Sequence, residues 1–268
     1  MTAAKAAMKD AQKVRASLAA WPGKHHAHAA ALAQAGALQA PWGTLLTDHL
    51  QLVPQNAGVL DEDQAFSLVQ NHPDTRFRLH ANVRVLLEHR MADLSNFDEE
   101  HAWFAQAARI HALIGAPVYS AHAGRRANAS LAQAFDNARR CADLFGSPVA
   151  IEGLYPESRG MWLLSSWSEY ALLLDAGVPY ALDLSHLHIL ASKTRQIECS
   201  LVTELLSSPQ CLEVHVSDND GVQDRHEQVR SEFDALWWMP LLRHIHEDAV
   251  VFSEAVQPSG DIGTLSSN

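Results

Sequence analysis

The sequence of 268 residues contains only three cysteines, at positions 141, 199 and 211, which lie far apart and form no CxxC pair. This scarcity argues against a disulfide framework and predicts reduced thiols in a cytoplasmic protein. No uncharged apolar run approaches the roughly 18 residues that a transmembrane helix requires. Charged residues, among them Lys5, Lys9 and Lys13, are spread through the first twenty positions, so we expect neither a signal peptide nor a membrane partner.

The chain also lacks a basic excess and a glycine-rich nucleotide fingerprint. Its 20 Lys and Arg residues against 31 Asp and Glu residues give a formal net charge of −11. Nucleic acid is therefore an unlikely partner, because phosphate binding requires a basic face. No strand-like run is followed by GxGxxG, which argues against an open doubly wound sheet that binds a dinucleotide. We expect a small-molecule substrate instead.

Histidine, in contrast, is abundant, with 16 residues. Imidazole is the commonest metal ligand in proteins and acts as an acid or base near neutral pH. In the most informative stretch, an apolar run ends in His215 and Asp218, and Asp224 and His226 follow in the next loop. Asp224 and His226 are two residues apart, and in an extended chain such residues project to the same side. Nitrogen and oxygen ligands at this spacing suit a divalent metal.

A repeat indicates the fold class. Gly-x-Pro turns begin at Gly115, Gly146 and Gly177, at intervals of 31 residues, and each one ends a helical segment and opens an apolar run. A repeat of this kind predicts parallel strands joined by right-handed crossover helices. About eight such units close a barrel of roughly 250 residues. We therefore predict an α/β fold of the (β/α)₈ TIM-barrel type.

The N-terminal part fits this pattern least well. Val14, Leu18 and Trp21 have helical spacing, and Pro22-Gly23 separates a second helix, so residues 1–40 are predicted to be a helical segment packed on a single domain of residues 1–268. The histidines near the start of the second helix are predicted to lie on a solvated face. Seven strands can be identified, at 48–53, 76–80, 118–122, 149–152, 180–184, 212–216 and 250–254. The barrel is therefore expected to be irregular at its N-terminus and could lack one strand.

Most of the predicted strands end in a side chain that can bind a metal. In chain order these side chains are His80, His122, Glu152, Asp183 with His186, His215 with Asp218, and Glu254. The carboxyl ends of barrel strands form one active-site face, so these groups should converge. A carboxylate at the end of an apolar run requires a cation or a hydrogen-bond donor when it is buried. A structural role could explain each of these residues by itself. It does not readily explain why the same kind of side chain recurs at the end of six strands.

Four motifs make the chain resemble xylose isomerase-like TIM barrels over roughly residues 76–256. They are Ser-Ala-His-Ala-Gly at 120–124, Ile-Glu-Gly at 151–153, Leu-Asp-Leu-Ser-His at 182–186 and His-Val-Ser-Asp-Asn-Asp-Gly at 215–221. The superfamily includes proteins labelled sugar-phosphate isomerase/epimerase and the endonuclease IV-type enzymes. The resemblance implies a metal-dependent enzyme with a site at the barrel mouth.

The resemblance also implies a division of the ligands. In a trinuclear member, one metal would be held by His80, His122 and Glu152, and Glu152 would bridge to a second metal. Asp183, His215 and Glu254 would complete the second site, and His186, Asp224 and His226 would hold a third. A mononuclear epimerase would require only Glu152, Asp183, His215 and Glu254. The expected cofactors are therefore one to three divalent ions of zinc, manganese or iron per chain.

Three chemistries remain open from the sequence. The first is isomerisation or epimerisation of a small sugar or sugar phosphate, in which Glu152 and Glu254 remove and return a proton next to a carbonyl. The second is multinuclear hydrolysis of a phosphoester. The third, implied by related barrels, is iron-dependent oxidation of a peptide, which could involve a partner protein. Weaker candidates for substrate contacts are Arg125, Asp218 and His188. A binding module with a vestigial site is the non-enzymatic alternative.

Overall fold

Eight parallel strands form the centre of the structure, a computed structural model that describes residues 13–41, 43–157, 159–229 and 236–257. They are β1 (Val14–Ser17), β2 (Leu46–Leu52), β3 (Arg76–Leu79), β4 (Tyr119–His122), β5 (Val149–Glu152), β6 (Tyr180–Asp183), β7 (Cys211–Val216) and β8 (Val250–Ser253). The strands pair in the order β3-β2-β1-β8-β7-β6-β5-β4, and β3 and β4 meet at a seam. The sheet is thus a nearly closed barrel, and the predicted (β/α)₈ TIM-type fold is confirmed.

Helices connect the strands and cover the outside of the barrel. They are α1 (His26–Ala35), α2 (Glu62–Asn71), α3 (His101–Leu113), α4 (Leu131–Phe145), α5 (Trp167–Ala176), α6 (Leu184–Thr194) and α7 (Cys199–Ser207). Large side chains such as Trp103, Phe104 and Tyr170 are fully buried in the core. Within the described ranges, no helix is long and apolar enough to cross a membrane.

The Gly-x-Pro repeat has the predicted structural role. Gly146 and Gly177 end α4 and α5 in the left-handed conformation, with φ of 63° and 62°. Glycine adopts this conformation without a steric penalty, and a proline two residues later cannot continue the helix. The chain therefore turns directly from each helix into β5 or β6, and the end of each strand carries its side chains to the same face of the barrel.

The sequence prediction is wrong at the first strand. Val14 begins β1 rather than a helix, and Leu18–Ala20 form one turn of 3₁₀ helix. β1 pairs in parallel with β2 and β8, so it is the strand that the sequence count lacked. Backbone hydrogen bonds to two neighbouring strands outweigh the helical preference of an alanine-rich segment, and a run of four residues carries no distinct periodicity. The part of the helical prediction on residues 1–12 lies outside the described residues.

The second predicted helix is present as α1. His25 and His28 are exposed, but His26 is buried, and its Nε2 lies 3.3 Å from the carbonyl oxygen of Val53. Burial lowers the pKa of His26 to about 4, so this side chain is neutral at pH 7. The prediction of a solvated histidine face is therefore wrong for His26, which packs against the barrel.

Candidate metal centre

The carboxyl ends of six strands bring metal-binding side chains to one mouth of the barrel. His80 follows β3, Glu254 follows β8, His215 lies within β7, and the other three end their strands. Five of the six residues are buried and His122 is half-buried. Three groups have ligand atoms within 4.8 Å of one another, namely His80–His122–Glu152, His80–His215–Glu254 and Glu152–Asp183–His215. The mouth thus gathers these groups as the sequence predicts.

Glu152 is the central side chain of this site. Its Oε2 lies 2.9 Å from Nε2 of His80 and 3.8 Å from Nε2 of His122. Its Oε1 lies 3.3 Å from Nδ1 of His215, and Oε1 of Glu254 lies 3.8 Å from the same nitrogen. The two oxygens of Glu152 therefore face different histidines, which is the arrangement that a carboxylate bridging two cations requires.

Asp183 owes its orientation to the helix that follows it. It is the last residue of β6 and the N-cap of α6, and its Oδ1 accepts hydrogen bonds from the backbone N–H groups of Ser185 (2.7 Å) and His186 (3.2 Å). Its Oδ2 lies 3.3 Å from Nε2 of His186. Capping thus leaves one carboxylate oxygen facing the centre.

The remaining three predicted ligands form an adjacent group. Oδ2 of Asp224 lies 2.8 Å from Nε2 of His226 and 3.3 Å from Nε2 of His186. Nε2 of His226 also lies 4.0 Å from Oε2 of Glu254, and the carbonyl oxygen of Gly153 lies 3.0 Å from Nδ1 of His186. The structure therefore brings all nine predicted ligands together, although their binding of metal stays a prediction.

The two candidate catalytic carboxylates have oppositely shifted pKa values. Burial disfavours the charged form of both. At Glu152, the charges of His215 and His80 outweigh burial and hold the pKa well below its usual range. At Glu254, burial dominates and raises the pKa. One carboxylate is thus ionised, and the other keeps its proton to a higher pH, which is a pattern associated with acid–base pairs.

Two histidines at the mouth have raised pKa values, which favour the charged ring beside the carboxylates when no metal is bound. Burial lowers the pKa of His186, but Asp183 and Asp224 raise it to about 10. Burial also lowers the pKa of His226, but the nearby carboxylates, chiefly that of Asp224, raise it to about 9. At His122 burial dominates and lowers the pKa to about 4, so this ring is neutral at pH 7. Cations that bind here would replace these protons.

The donor atoms fit a divalent cation. Nδ1 of His215 is buried and has no partner in hydrogen-bonding geometry, so its position is explained by an additional atom at the centre. The nine side chains offer imidazole nitrogen and carboxylate oxygen and no thiolate, a set that suits zinc, manganese or iron. Each of the three overlapping groups could hold a metal ion, and Glu152 belongs to two of them.

Sequence reasoning missed one residue of the site, Glu213. This glutamate is fully buried in β7, and its Oε1 lies 2.6 Å from Nε2 of His215. Its signal in the sequence is the i, i+2 spacing to His215, which places both side chains on the inner face of the same strand. The other residues of this strand are mostly apolar, so the pattern of the run does not draw attention to the charge within it.

The three weaker candidates lie in loops or helices near the mouth. Arg125 is exposed three residues beyond the end of β4, and its guanidinium carbon lies 5.2 Å from the ring centroid of Trp162. Asp218 accepts a hydrogen bond from the backbone N–H of Asn219 at 2.8 Å. His188 is partly buried in α6, and burial lowers its pKa while Asp218 opposes that shift. Their contacts with substrate stay predictions.

Gly153, directly after the central carboxylate, is required by close packing. A Cβ there would overlap the hydroxyl of Tyr170 and lie 2.5 Å from the carbonyl oxygen of Leu164. We expect Gly153→Ala to lower the free energy of unfolding by about 1–3 kcal/mol, measured by denaturant unfolding. Gly36→Ala is the control, since nothing lies within 4 Å of a Cβ at that position. Equal stability of the two variants would contradict the packing argument.

The fold and the mouth together define a class, a (β/α)₈ barrel with a His/Asp/Glu constellation capable of binding metal. No protein-family model and no curated protein matches the sequence. Solved structures with the same fold include a D-tagatose 3-epimerase-like protein, with a TM-score of 0.64 and 14% identity over 91% of this chain and 92% of that chain.

Two further solved structures show the same likeness. A xylose isomerase domain containing protein from Salmonella typhimurium LT2 has a TM-score of 0.59 and 15% identity, and covers 91% of this chain and 88% of its own. An AP endonuclease of family 2 from Brucella melitensis has a TM-score of 0.59 and 14% identity, and the match covers 91% of this chain and 93% of that chain. The structural neighbours are xylose isomerase-like TIM-barrel proteins, as the sequence motifs predict. At these identities the likeness shows the fold.

Proposed function

We propose that this protein is a divalent-metal-dependent isomerase or epimerase that transfers a proton next to the carbonyl group of a small sugar or sugar phosphate. The observation that carries the proposal is the pair Glu152 and Glu254, two buried carboxylates near one nitrogen of His215 with pKa values shifted in opposite directions. Similar solved structures include a D-tagatose 3-epimerase-like protein, a D-allulose 3-epimerase and a xylose isomerase domain containing protein, which supports the same substrate class.

The site residues divide the chemistry between them. A divalent cation bound at this centre would polarise the carbonyl and hydroxyl oxygens of the substrate. Glu152 accepts the proton from the carbon next to the carbonyl, and Glu254 returns a proton to the substrate. Donation to the opposite face of the same carbon gives an epimer, and donation to the former carbonyl carbon, together with transfer of the hydroxyl proton to the former carbonyl oxygen, gives an isomer.

Exchange of carbon-bound hydrogen with solvent tests this proposal most specifically. Protein reconstituted separately with zinc, manganese and iron is incubated in D₂O with a panel of ketoses, aldoses and their phosphates, and the sugars are followed by NMR. We expect deuterium at the carbon next to the carbonyl of at least one sugar, together with a new epimer or isomer. Turnover of a sugar without any exchange at that carbon would overturn the proposal.

Phosphoester hydrolysis is the second candidate, because the His186–Asp224–His226 group adjoins Glu254 and could hold a further cation. Closely spaced cations can activate water and stabilise a leaving oxygen. The same metal-loaded protein is therefore tested for phosphate release from a panel of phosphoesters. Phosphate release without deuterium exchange would favour hydrolysis, and oxygen consumption by the iron form with a peptide would favour the oxidase.

Arg125 is expected to select an anionic substrate. Its backbone N–H donates to Oγ of Ser95 at 2.8 Å and its guanidinium stacks on Trp162, so the cation is held in place while still exposed. We expect Arg125→Ala to raise KM for a sugar phosphate about tenfold or more, because a charge-assisted hydrogen bond is lost. The KM for the unphosphorylated sugar should change little.

The neighbouring Arg126 provides the control. Its Nη2 donates to Oε2 of Glu169 at 2.6 Å, so its charge already has a partner. Arg126→Ala should therefore change KM for the two sugars by the same factor. The assignment would be contradicted if Arg126→Ala raised KM for the sugar phosphate more than KM for the unphosphorylated sugar. It would also be contradicted if Arg125→Ala raised both KM values by the same factor.

A further inference from the structure

A polar layer crosses the interior of the barrel directly beneath the candidate metal centre. Its centre is the carboxylate of Glu213, which is fully buried. Gln51 of β2, Arg78 of β3 and Ser120 of β4 all donate to this one group, and His215 is its fourth partner. Side chains from four strands thus converge on Glu213, whereas parallel barrels ordinarily fill this region with branched apolar residues.

The hydrogen bonds of Glu213 determine which nitrogen of His215 carries the proton. Oε1 of Glu213 lies 2.6 Å from Nε2 of His215 and 2.7 Å from Nε2 of Gln51. Arg78 forms an ion pair with this carboxylate, and Gln51 and Ser120 also donate to it, so the contacts around Glu213 are those of an ionised carboxylate, which only accepts hydrogen bonds. An ionised oxygen this close to a ring nitrogen requires a proton on that nitrogen, because two lone pairs would otherwise repel each other. The amide nitrogen of Gln51 also lies 2.9 Å from Nε2 of His215, but its N–H donates to Glu213, and we assign the ring proton to Nε2 because the contact with the carboxylate is shorter and charge-assisted.

The other ring nitrogen is thereby available to the centre. Nδ1 of His215 faces Oε1 of Glu152 at 3.3 Å and Oε1 of Glu254 at 3.8 Å and has no partner in hydrogen-bonding geometry. An imidazole can bind a cation only through a nitrogen that carries no proton. The bond to Glu213 sets both the rotation of the ring and the nitrogen that it offers.

We propose that Glu213 is a positioning residue, which holds His215 with Nε2–H bonded to its carboxylate and Nδ1 directed at the metal, and so sets the affinity of the centre. The inference rests on the proposed metal-dependent function. Arg78, Gln51 and Ser120 act through Glu213, since they hold its carboxylate at one place and one charge. A purely structural role for the Arg78–Glu213 ion pair would affect stability and leave the metal affinity of the folded protein unchanged.

Glu213→Gln separates these two roles because it keeps the size of the side chain. If the new amide NH₂ faces His215, it donates to Nε2 and moves the ring proton to Nδ1. If it faces Arg78, two donors oppose each other and the side chain is displaced. Either arrangement disturbs the ligand, so we expect zinc and manganese to bind about 10–100-fold more weakly, the range typical of lost outer-sphere partners. Affinity is measured by competition with a chelator on protein that circular dichroism shows to be folded.

Glu169→Gln is the matched control. Glu169 of α5 is also a buried carboxylate, and it accepts hydrogen bonds from Arg126, which follows β4, and from Ser165 and Ser166 in the loop before α5. Its loss should lower stability and leave metal affinity within about threefold of the wild type. Metal affinity of Glu213→Gln within the same limit would overturn the proposal.

A second measurement on the wild-type chain keeps the inference testable even if Glu213→Gln fails to fold. NMR of protein labelled with ¹⁵N-histidine and loaded with zinc reports which ring nitrogen is protonated, and His215→Gln identifies the resonance. A proton on Nε2 of His215 with zinc on Nδ1 is expected, and a proton on Nδ1 would overturn the proposal. A wild-type chain that binds no metal would instead overturn the proposed function, and the inference with it.

Discussion

Replacing Glu152 by Gln is expected to lower kcat by about 10³-fold or more for whichever sugar the wild-type protein turns over. The substitution removes the ionised carboxylate that faces His80, His122 and His215 and is the candidate base. It also presents an amide N–H group to a centre that requires oxygen lone pairs. Steady-state rates and deuterium exchange are measured together, and both should fall, because they depend on the same proton transfer.

Glu169→Gln again serves as the control for removal of a buried carboxylate. Its partners Arg126, Ser165 and Ser166 contribute no metal-binding group, so kcat should stay within about threefold of the wild-type value. Glu152→Gln with more than a tenth of wild-type exchange would show that another group removes the proton. In that case the assignment of Glu152 as the base would be abandoned.

The metal-free protein is expected to lose stability as the pH rises from about 6.5 to 8.5. His186 and His226 have pKa values raised to about 10 and about 9 in the folded chain, whereas an unperturbed histidine titrates near pH 6.5. Above pH 6.5 the unfolded chain therefore binds fewer protons than the folded chain. The free energy of unfolding should then fall by up to about 1.4 kcal/mol per pH unit for each histidine.

Denaturant unfolding across this pH range checks the prediction, with metal-loaded protein measured in parallel. Bound cations replace the protons on these rings, so the loaded form should show a much flatter pH dependence. Asp224→Asn is the matched variant, because it removes the carboxylate that contributes to both raised pKa values. Rising stability of the metal-free wild type between pH 6.5 and 8.5 would contradict the charge arrangement described for the mouth.

The sequence was sufficient for the fold and for the gathering of the nine side chains, for a physical reason. Parallel strands of a barrel have their carboxyl ends at one mouth, so a residue such as Glu152 or Asp183 at the end of an apolar run can be placed without knowing any distance. The interval between Gly146 and Gly177 fixed the size of the repeating unit. In this part of the chain, the local sequence pattern and the topology of the barrel predict the same strands and helices.

The sequence was insufficient where an effect depends on a neighbour distant in the chain. β1 exists because two strands flank it, and its four residues alone carry no distinct signal. Glu213 lies within an otherwise apolar strand, and its role follows from Arg78, 135 positions earlier in the chain. The opposite pKa shifts of Glu152 and Glu254 likewise arise from three-dimensional packing. Residue type predicts a ligand, but its charge state requires the structure.

Metal content per chain tests the central claim most directly. Protein purified without chelator is subjected to elemental analysis, beside Asp183→Asn, which keeps the capping oxygen that bonds Ser185 but removes the charge facing the centre. The account predicts at least one and at most three equivalents of zinc, manganese or iron per wild-type chain, and clearly less in the variant. A wild-type chain that contains no metal, even after reconstitution with each of the three ions, would contradict it.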